Sequence, residues 1–109
     1  MSAMSLRLPS LAKRLRIETG EAVLQYELME EQAHALGRSG KTVETALAAL
    51  KAHDDAGGAA EARGPLLKAA ADAVWGFMVQ REAMGLRDRA AVVAHYGIPR
   101  EVLNRMGAR

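Results

Sequence analysis

Residues 22–50, AVLQYELMEEQAHALGRSGKTVETALAAL, carry the strongest structural signal in this chain of 109 residues. Apolar or small residues recur there at alternating spacings of four and three, which is the pattern of a helix that packs along one face. This pattern predicts one long helix over about residues 20–54, with Thr19 as its N-cap. The resulting seam keeps its phase through Ala22, Tyr26, Met29, Ala33, Leu36, Gly40, Val43, Leu47 and Leu50.

Two glycines interrupt this helical pattern. Gly37 and Gly40 each cost up to about 1 kcal/mol relative to alanine inside a helix. Ser39 could instead cap a second helix that starts near Gly40, so the alternative is two helices with a break at Gly37–Gly40. Because the seam stays in phase across the glycines, we favour a single helix in which Gly40 lets a neighbour approach the backbone closely.

A loop and a second helix are predicted after the seam. Residues 55–64 contain no large apolar residue and several glycines, which indicates a loop that reverses the chain. Pro65 fits the first position of a helix over residues 65–84, whose apolar stripe is wide. Trp75 falls beside this stripe and is expected to be a packing or interface anchor.

Two glycine stop signals divide the remaining chain. Gly85 and Gly97 are each followed by a large apolar residue, as in a left-handed helix end, so short helices are predicted over residues 89–96 and 99–106. No stretch shows the alternation of a strand. The predicted fold class is therefore all-α, with an antiparallel hairpin of a long and a shorter helix followed by two short C-terminal helices.

The charge is distributed unevenly, although the formal net charge is only +2. Residues 1–16 carry four bases and no acid, residues 17–80 carry more acids than bases, and residues 81–109 are basic again. Such a pattern permits nucleic-acid contact at either end, but attraction between segments or subunits explains it as well, and +2 is weak for a DNA-binding protein. We expect a basic, partly flexible arm over residues 1–18 and a single helical domain over residues 19–109.

The composition excludes several classes of protein. The chain contains no cysteine, which excludes a disulfide scaffold, a thiolate metal site and cysteine catalysis. No apolar run approaches the length of a membrane span, so no integral membrane association is expected. The N-terminus lacks the apolar core of a secretory signal, and a cytoplasmic location is therefore predicted.

Motifs for enzymatic chemistry are incomplete. The run at residues 35–42 matches a relaxed phosphate-loop pattern with Lys41 and Thr42, but such a loop follows a strand, and the preceding residues have helical period. Glu31 and His34 form half of a di-iron motif, and no second half lies on another predicted helix. No serine, histidine and acid can be grouped by spacing. We therefore predict no catalytic residues, no cofactor, no metal site and no enzymatic activity.

Residues 88–106 carry the strongest nucleic-acid signal. A short helix, a turn at Gly97 and a second helix resemble a helix-turn-helix unit. Arg100, Asn104 and Arg105 would lie on the outer face of the second helix, where they could meet bases and phosphates. The alternative is that both short helices fold back and cover the hairpin.

A two-helix hairpin also leaves apolar surface uncovered, because the long helix outreaches its partner. A two-fold dimer that joins two hairpins in a four-helix bundle would cover this surface. The chain is thus predicted to be a small, non-enzymatic protein-interaction or oligomerisation module that forms a homodimer. The alternative is a DNA-binding protein. The predicted oligomer interface comprises Leu36, Gly40, Val43, Leu47, Leu50 and Trp75.

Several runs of the sequence resemble a family of small alphaproteobacterial helical proteins that is catalogued as a domain of unknown function. The resemblance covers most of the chain beyond residue 18, and it implies a small bacterial, cytoplasmic protein without assigning an activity or site residues. The runs that carry it are VLQYEL (23–28), ALGRSG (35–40), LAAL (47–50), AVW (73–75), VQRE (79–82), GLRD (85–88) and YGIPREVL (96–103).

Overall fold

The computed structural model describes residues 2–107, and side chains from residue 13 onward. Over these residues the chain is all-helical, without a strand, as the sequence predicted. A long helix packs with a second helix, and two short helices follow. The four helices are α1 (Ser2–Asp55), α2 (Ala60–Ala83), α3 (Arg89–Tyr96) and α4 (Arg100–Arg105).

Helix α1 begins at Ser2 rather than near residue 20, so residues 2–18, predicted as an arm, are helical. The expected cap at Thr19 is not formed. Its hydroxyl instead donates a hydrogen bond to the carbonyl of Leu15 at 2.7 Å, one turn back, which is how a threonine is accommodated inside a helix. The alternative of two helices is also wrong, because α1 passes through Gly37 and Gly40 without a break.

Helix α2 begins at Ala60, five residues before the predicted start at Pro65. The loop is therefore shorter than expected, and Pro65 lies inside the helix. Glu61 stands in the first turn, where its negative charge is favourable beside the unpaired N–H groups. Gly57, with a φ of 63°, provides the left-handed conformation with which the chain leaves α1.

Two compact units divide the chain, Met1–His34 and Ala35–Arg109. Every buried residue among those described belongs to the second unit. Its core combines side chains from all four helices and from the turn before α4. These are Val43, Leu50, Ala70, Ala71, Val74, Phe77, Met78, Val92, Ile98 and Val102.

The two short helices close this core from one side. Asp88 caps α3, since its carboxylate accepts a hydrogen bond from the backbone N–H of Ala91 at 3.0 Å. Gly97 ends the helix with a φ of 63°, and the next N–H, that of Ile98, donates to the carbonyl of Val93 at 3.1 Å. This turn directs Ile98 into the core.

Gly40 and Gly37 have different surroundings, although both lie in α1. A Cβ atom on Gly40 would come within 2.5 Å of the Tyr96 hydroxyl oxygen, whereas one on Gly37 would meet nothing within 4 Å. Gly40 therefore does permit a close approach, by a tyrosine side chain. The ring of Tyr96 is held edge-on against Phe77 at a centroid distance of 5.3 Å.

We expect opposite effects on stability from alanine at these two glycines. Gly37→Ala should raise the free energy of unfolding by about 1 kcal/mol, because it removes only the conformational cost of glycine. Gly40→Ala should lower it by about 1 kcal/mol or more, since Tyr96 must move out of its packed position. Urea unfolding of both variants measures this difference. An equal gain in both would show that Tyr96 relaxes without cost.

Candidate interaction surface

The predicted seam of α1 has two different environments. From Gly40 onward it lies in the core of the unit Ala35–Arg109, where Val43 and Leu50 are buried and Leu47 is half-buried against them. Leu36 is also half-buried there. Side chains of this chain's own helices therefore cover that part of the seam.

Three of the six residues of the predicted oligomer interface are enclosed in this core, while the interface as a whole stays a prediction. Gly40, Val43 and Leu50 face the chain's own core and offer no surface to a second copy. The seam pattern identified residues that are packed, but the spacing does not say which helix packs against them. Trp75 is 46 % exposed, on α2.

The seam before Leu36 is exposed. Spacings of four and three lead back from Ala22 through Thr19 to Leu15, so the surface begins earlier than predicted. We call the six uncharged seam positions from residue 15 to residue 33 the exposed seam. They are Leu15, Thr19, Ala22, Tyr26, Met29 and Ala33, and the structure leaves all of them open to solvent.

The large side chains of the exposed seam are each more than half accessible to solvent. Leu15, Tyr26 and Met29 are 55 %, 69 % and 61 % exposed. Contiguous apolar surface of this kind on a helix marks a binding surface more often than a solvated one. The sequence pattern already placed Ala22, Tyr26, Met29 and Ala33 in the seam, but the predicted interface was assigned to the later part of the seam. Leu15 was left out because the helix was predicted to begin after Thr19.

Mostly charged and polar side chains, with Val23 among them, flank the exposed seam. Arg16, Val23 and Glu30 follow one edge at intervals of seven residues, and Glu18 and Gln25 lie on the opposite edge. The far side of the helix, which we call the outer face, also carries exposed apolar residues. These are Ile17, Leu24 and Leu28, but charged residues such as Lys13, Glu21 and Glu31 interrupt them.

A second feature lies in the unit Ala35–Arg109, where Arg63 joins three helices. Its Nε donates to Asp54 Oδ1 at 2.8 Å, and its Nη2 donates to Glu101 Oε2 at 2.8 Å. These hydrogen bonds hold the pKa of both carboxyl groups below their usual values. Asp54 lies at the end of α1, Arg63 at the start of α2 and Glu101 in α4. The three residues thus connect the helix ends.

These residues line a cleft of about 620 Å³ with apolar walls that include Leu47 and Tyr96. Arg63 engages two of the four acids in the lining, Asp54 and Glu101, and Lys51 pairs with a third, Asp55. The described lining contains no serine or threonine. His95 is packed edge-on against Tyr96 at 4.8 Å. Arg63, Asp54 and Glu101 thus connect α1, α2 and α4 at one wall of the cleft.

We expect Arg63→Met to reduce thermal stability in a pH-dependent way. Because Arg63 lowers the pKa of Asp54 and Glu101, its contribution is present above their usual pKa values of 3.8 and 4.5 and is lost as pH falls through the lowered values. The difference in Tm between the parent and the variant should thus be largest at pH 7 and should shrink towards pH 3. Calorimetry at several pH values measures it.

Lys68→Met is the matched control for Arg63→Met. Lys68 pairs with Asp72 at 2.6 Å within α2, where both side chains are well exposed. A single exposed pair one turn apart contributes little, so Tm should hardly change. If the Tm loss of Arg63→Met were the same at pH 3 and pH 7, its origin would be the packing of the side chain and not its charge.

The motifs considered for catalysis do not assemble. Lys41 and Thr42 lie within α1, and the Thr42 hydroxyl donates to the carbonyl of Arg38 at 3.1 Å, so no phosphate loop is formed there. Among the described residues, no group of three histidines and acids is placed to hold a metal ion. Over the same part of the chain, no helix has the length and apolar character needed to cross a membrane.

The helix-turn-helix-like unit is built into the core. α4 has six residues, or about 9 Å of helix; it contacts α2, and its Val102 is buried in the core. Arg100 and Asn104 are exposed, whereas Arg105 is half-buried. Nucleic-acid contact through these three side chains stays a prediction.

Comparison with known proteins gives a family and no function. No curated protein and no solved structure matches the chain. One family model matches residues 4–109, which includes the exposed seam and the core of the second unit. The match confirms the resemblance to a domain of unknown function. The chain therefore belongs to DUF6665, a family of unknown function.

Proposed function

We propose that this chain is a non-enzymatic oligomerisation module that binds a second copy of itself through the exposed seam. One observation carries the proposal. The seam that is covered by other helices from Gly40 onward continues, in phase and without a charge, over Leu15 to Ala33, where its large side chains are more than half exposed.

Helix energetics support this interpretation. A helix owes most of its stability in water to the packing of an apolar face, and isolated helices are marginal. The unit Met1–His34 contains no buried side chain among its described residues. A second helix laid along Tyr26 and Met29 would remove their apolar surface from water, which contributes roughly 25 cal/mol per Å².

The cleft at Arg63 supports the non-enzymatic part of the proposal. Two of its carboxylates, those of Asp54 and Glu101, already accept hydrogen bonds from the guanidinium group of Arg63. A catalytic acid or base needs a pKa near the working pH, and these two groups are shifted away from it. The geometry therefore favours a role in binding.

We expect Met29→Asp to weaken self-association by about 100-fold or more, because two copies would each bury a carboxylate in the interface. Sedimentation velocity over a concentration series measures this. Leu24→Asp is the matched control, since Leu24 is 66 % exposed on the outer face of the same helix. The control should associate like the parent. A parent chain that stays monomeric, or two variants that behave alike, would contradict the proposed function.

A further inference from the structure

We infer that the two copies pair antiparallel along the exposed seam, about a two-fold axis near residue 24, with Arg16 of each copy beside Glu30 of the other. The inference rests on the proposed function and specifies the arrangement of the partner. It follows from two independent properties of residues 15–33, which are the sizes of the seam side chains and the charges along one edge.

The sizes of the side chains fit an antiparallel register. The alternating spacing defines two kinds of seam position. In an antiparallel pair, each layer of the interface contains one position of each kind, contributed by opposite copies. With the axis near residue 24, each layer joins one large and one small side chain, which fills space evenly. The layers are Tyr26 with Ala22, Met29 with Thr19, and Leu15 with Ala33, each formed twice by symmetry.

Other arrangements lose this fit. A parallel, in-register pair sets each residue opposite itself, so that Tyr26 would meet Tyr26 and Ala22 would meet Ala22. Some layers would then join two large side chains and others two small ones, and both overfilling and empty space cost packing energy. Antiparallel pairs shifted by one heptad set Tyr26 opposite Leu15 or Met29, and they place two small residues together elsewhere.

The charges along the edge select the same register. Arg16, Val23 and Glu30 follow one edge of the seam, seven residues apart. In an antiparallel pair, the same edges of the two helices lie side by side. With the axis near residue 24, Val23 therefore lies beside Val23 of the other copy, and Arg16 lies beside Glu30 twice.

The rest of the edge charge is compatible with this pairing. On the opposite edge, Glu18 would lie near Gln32 and Gln25 near its own copy, so no like charges meet. The basic stretch at residues 13–16 would lie opposite residues 32–35 of the other copy, next to its Glu30 and Glu31. Parallel pairing would instead align basic with basic and acidic with acidic stretches. Arg16 and Glu30 thus act as specificity determinants.

Charge reversal tests the orientation. Arg16→Glu alone or Glu30→Arg alone brings like charges together at both contacts, and each should weaken the homodimer by about tenfold or more. An equimolar mixture of these two variants restores both opposite-charge contacts, so a heterodimer should form with near-parent affinity. Arg14→Glu is the matched control, because it makes the same charge change away from the seam and should have little effect.

Distances between spin labels give a second measurement. The chain has no cysteine, so single labels can be attached at Lys13→Cys or Gln25→Cys. In the proposed register, residue 13 lies opposite residue 35 of the other copy, which corresponds to a separation of about 33 Å along the axis. Residue 25 lies near the two-fold axis, and its labels should be separated by only about 10–20 Å. In-register parallel pairing would give similar, short distances at both sites.

The possible results separate the two proposals. A parent chain that remains monomeric up to about 100 µM would overturn the proposed function and the inference with it. A dimer in which the mixed variants form no heterodimer, or in which both label pairs are short, would overturn the antiparallel arrangement alone. A heterodimer together with one long and one short label distance supports the inference.

Discussion

Phe77→Ala is expected to lower the free energy of unfolding by about 3–5 kcal/mol. The ring is almost entirely buried in α2, where it packs edge-on against Tyr96 and near Gly40 of α1. The Arg81 guanidinium carbon lies 5.8 Å from its centroid. Removing the ring leaves a cavity between three helices and exposes the tyrosine that fills the space above Gly40.

Such a loss is a large fraction of the stability of a domain this size, about 5–15 kcal/mol. Urea unfolding followed by circular dichroism measures it, provided that the transition stays cooperative. Val79→Ala is the matched control, because Val79 lies on the same helix and is 45 % exposed; its loss should stay below about 1 kcal/mol. A loss for Phe77→Ala as small as that of the control would mean that the core closes without the ring.

The periodic signal of the seam predicted the long helix and its packing face. Spacing constrains the phase of a helix, and it correctly favoured continuity across Gly37 and Gly40. The start of α1 was missed because a threonine serves equally as a cap or, when it bonds back to a carbonyl, as an interior residue. Local residue types do not separate these two uses at Thr19.

No local sequence pattern shows which part of the seam is covered by other helices and which part is exposed. α2 has 24 residues and α1 has 54, so α2 covers at most part of the seam. Which part depends on where the chain reverses and on how α3 and α4 fold over the core. Likewise, Arg63 and Glu101 are 38 positions apart, and no spacing rule joins them. Residues 88–106 resembled a DNA-binding unit because two short helices joined by a glycine turn occur both in such units and in helices that cover a core.

A fragment of residues 35–109 is expected to fold and to lose self-association. All buried residues among those described belong to this unit, and its hydrogen bonds from Arg63 to Asp54 and Glu101 lie within it. The fragment lacks the whole exposed seam, so its association should weaken by at least about 100-fold relative to the full chain. Circular dichroism during heating and sedimentation velocity on the same samples measure both properties.

The dependence of Tm on concentration distinguishes folding from association in this experiment. Binding of a second copy stabilises the native state by mass action, by about 2.7 kcal/mol when the partner concentration is 100 times Kd. The Tm of the full chain should therefore rise with its concentration. The fragment should melt cooperatively, with a Tm that does not depend on concentration. A fragment that dimerises as the full chain does would place the interface in 35–109, with exposed Trp75 as the first residue to test. An unfolded fragment would show that residues before Ala35 are needed for the core, which contradicts the independence of the second unit.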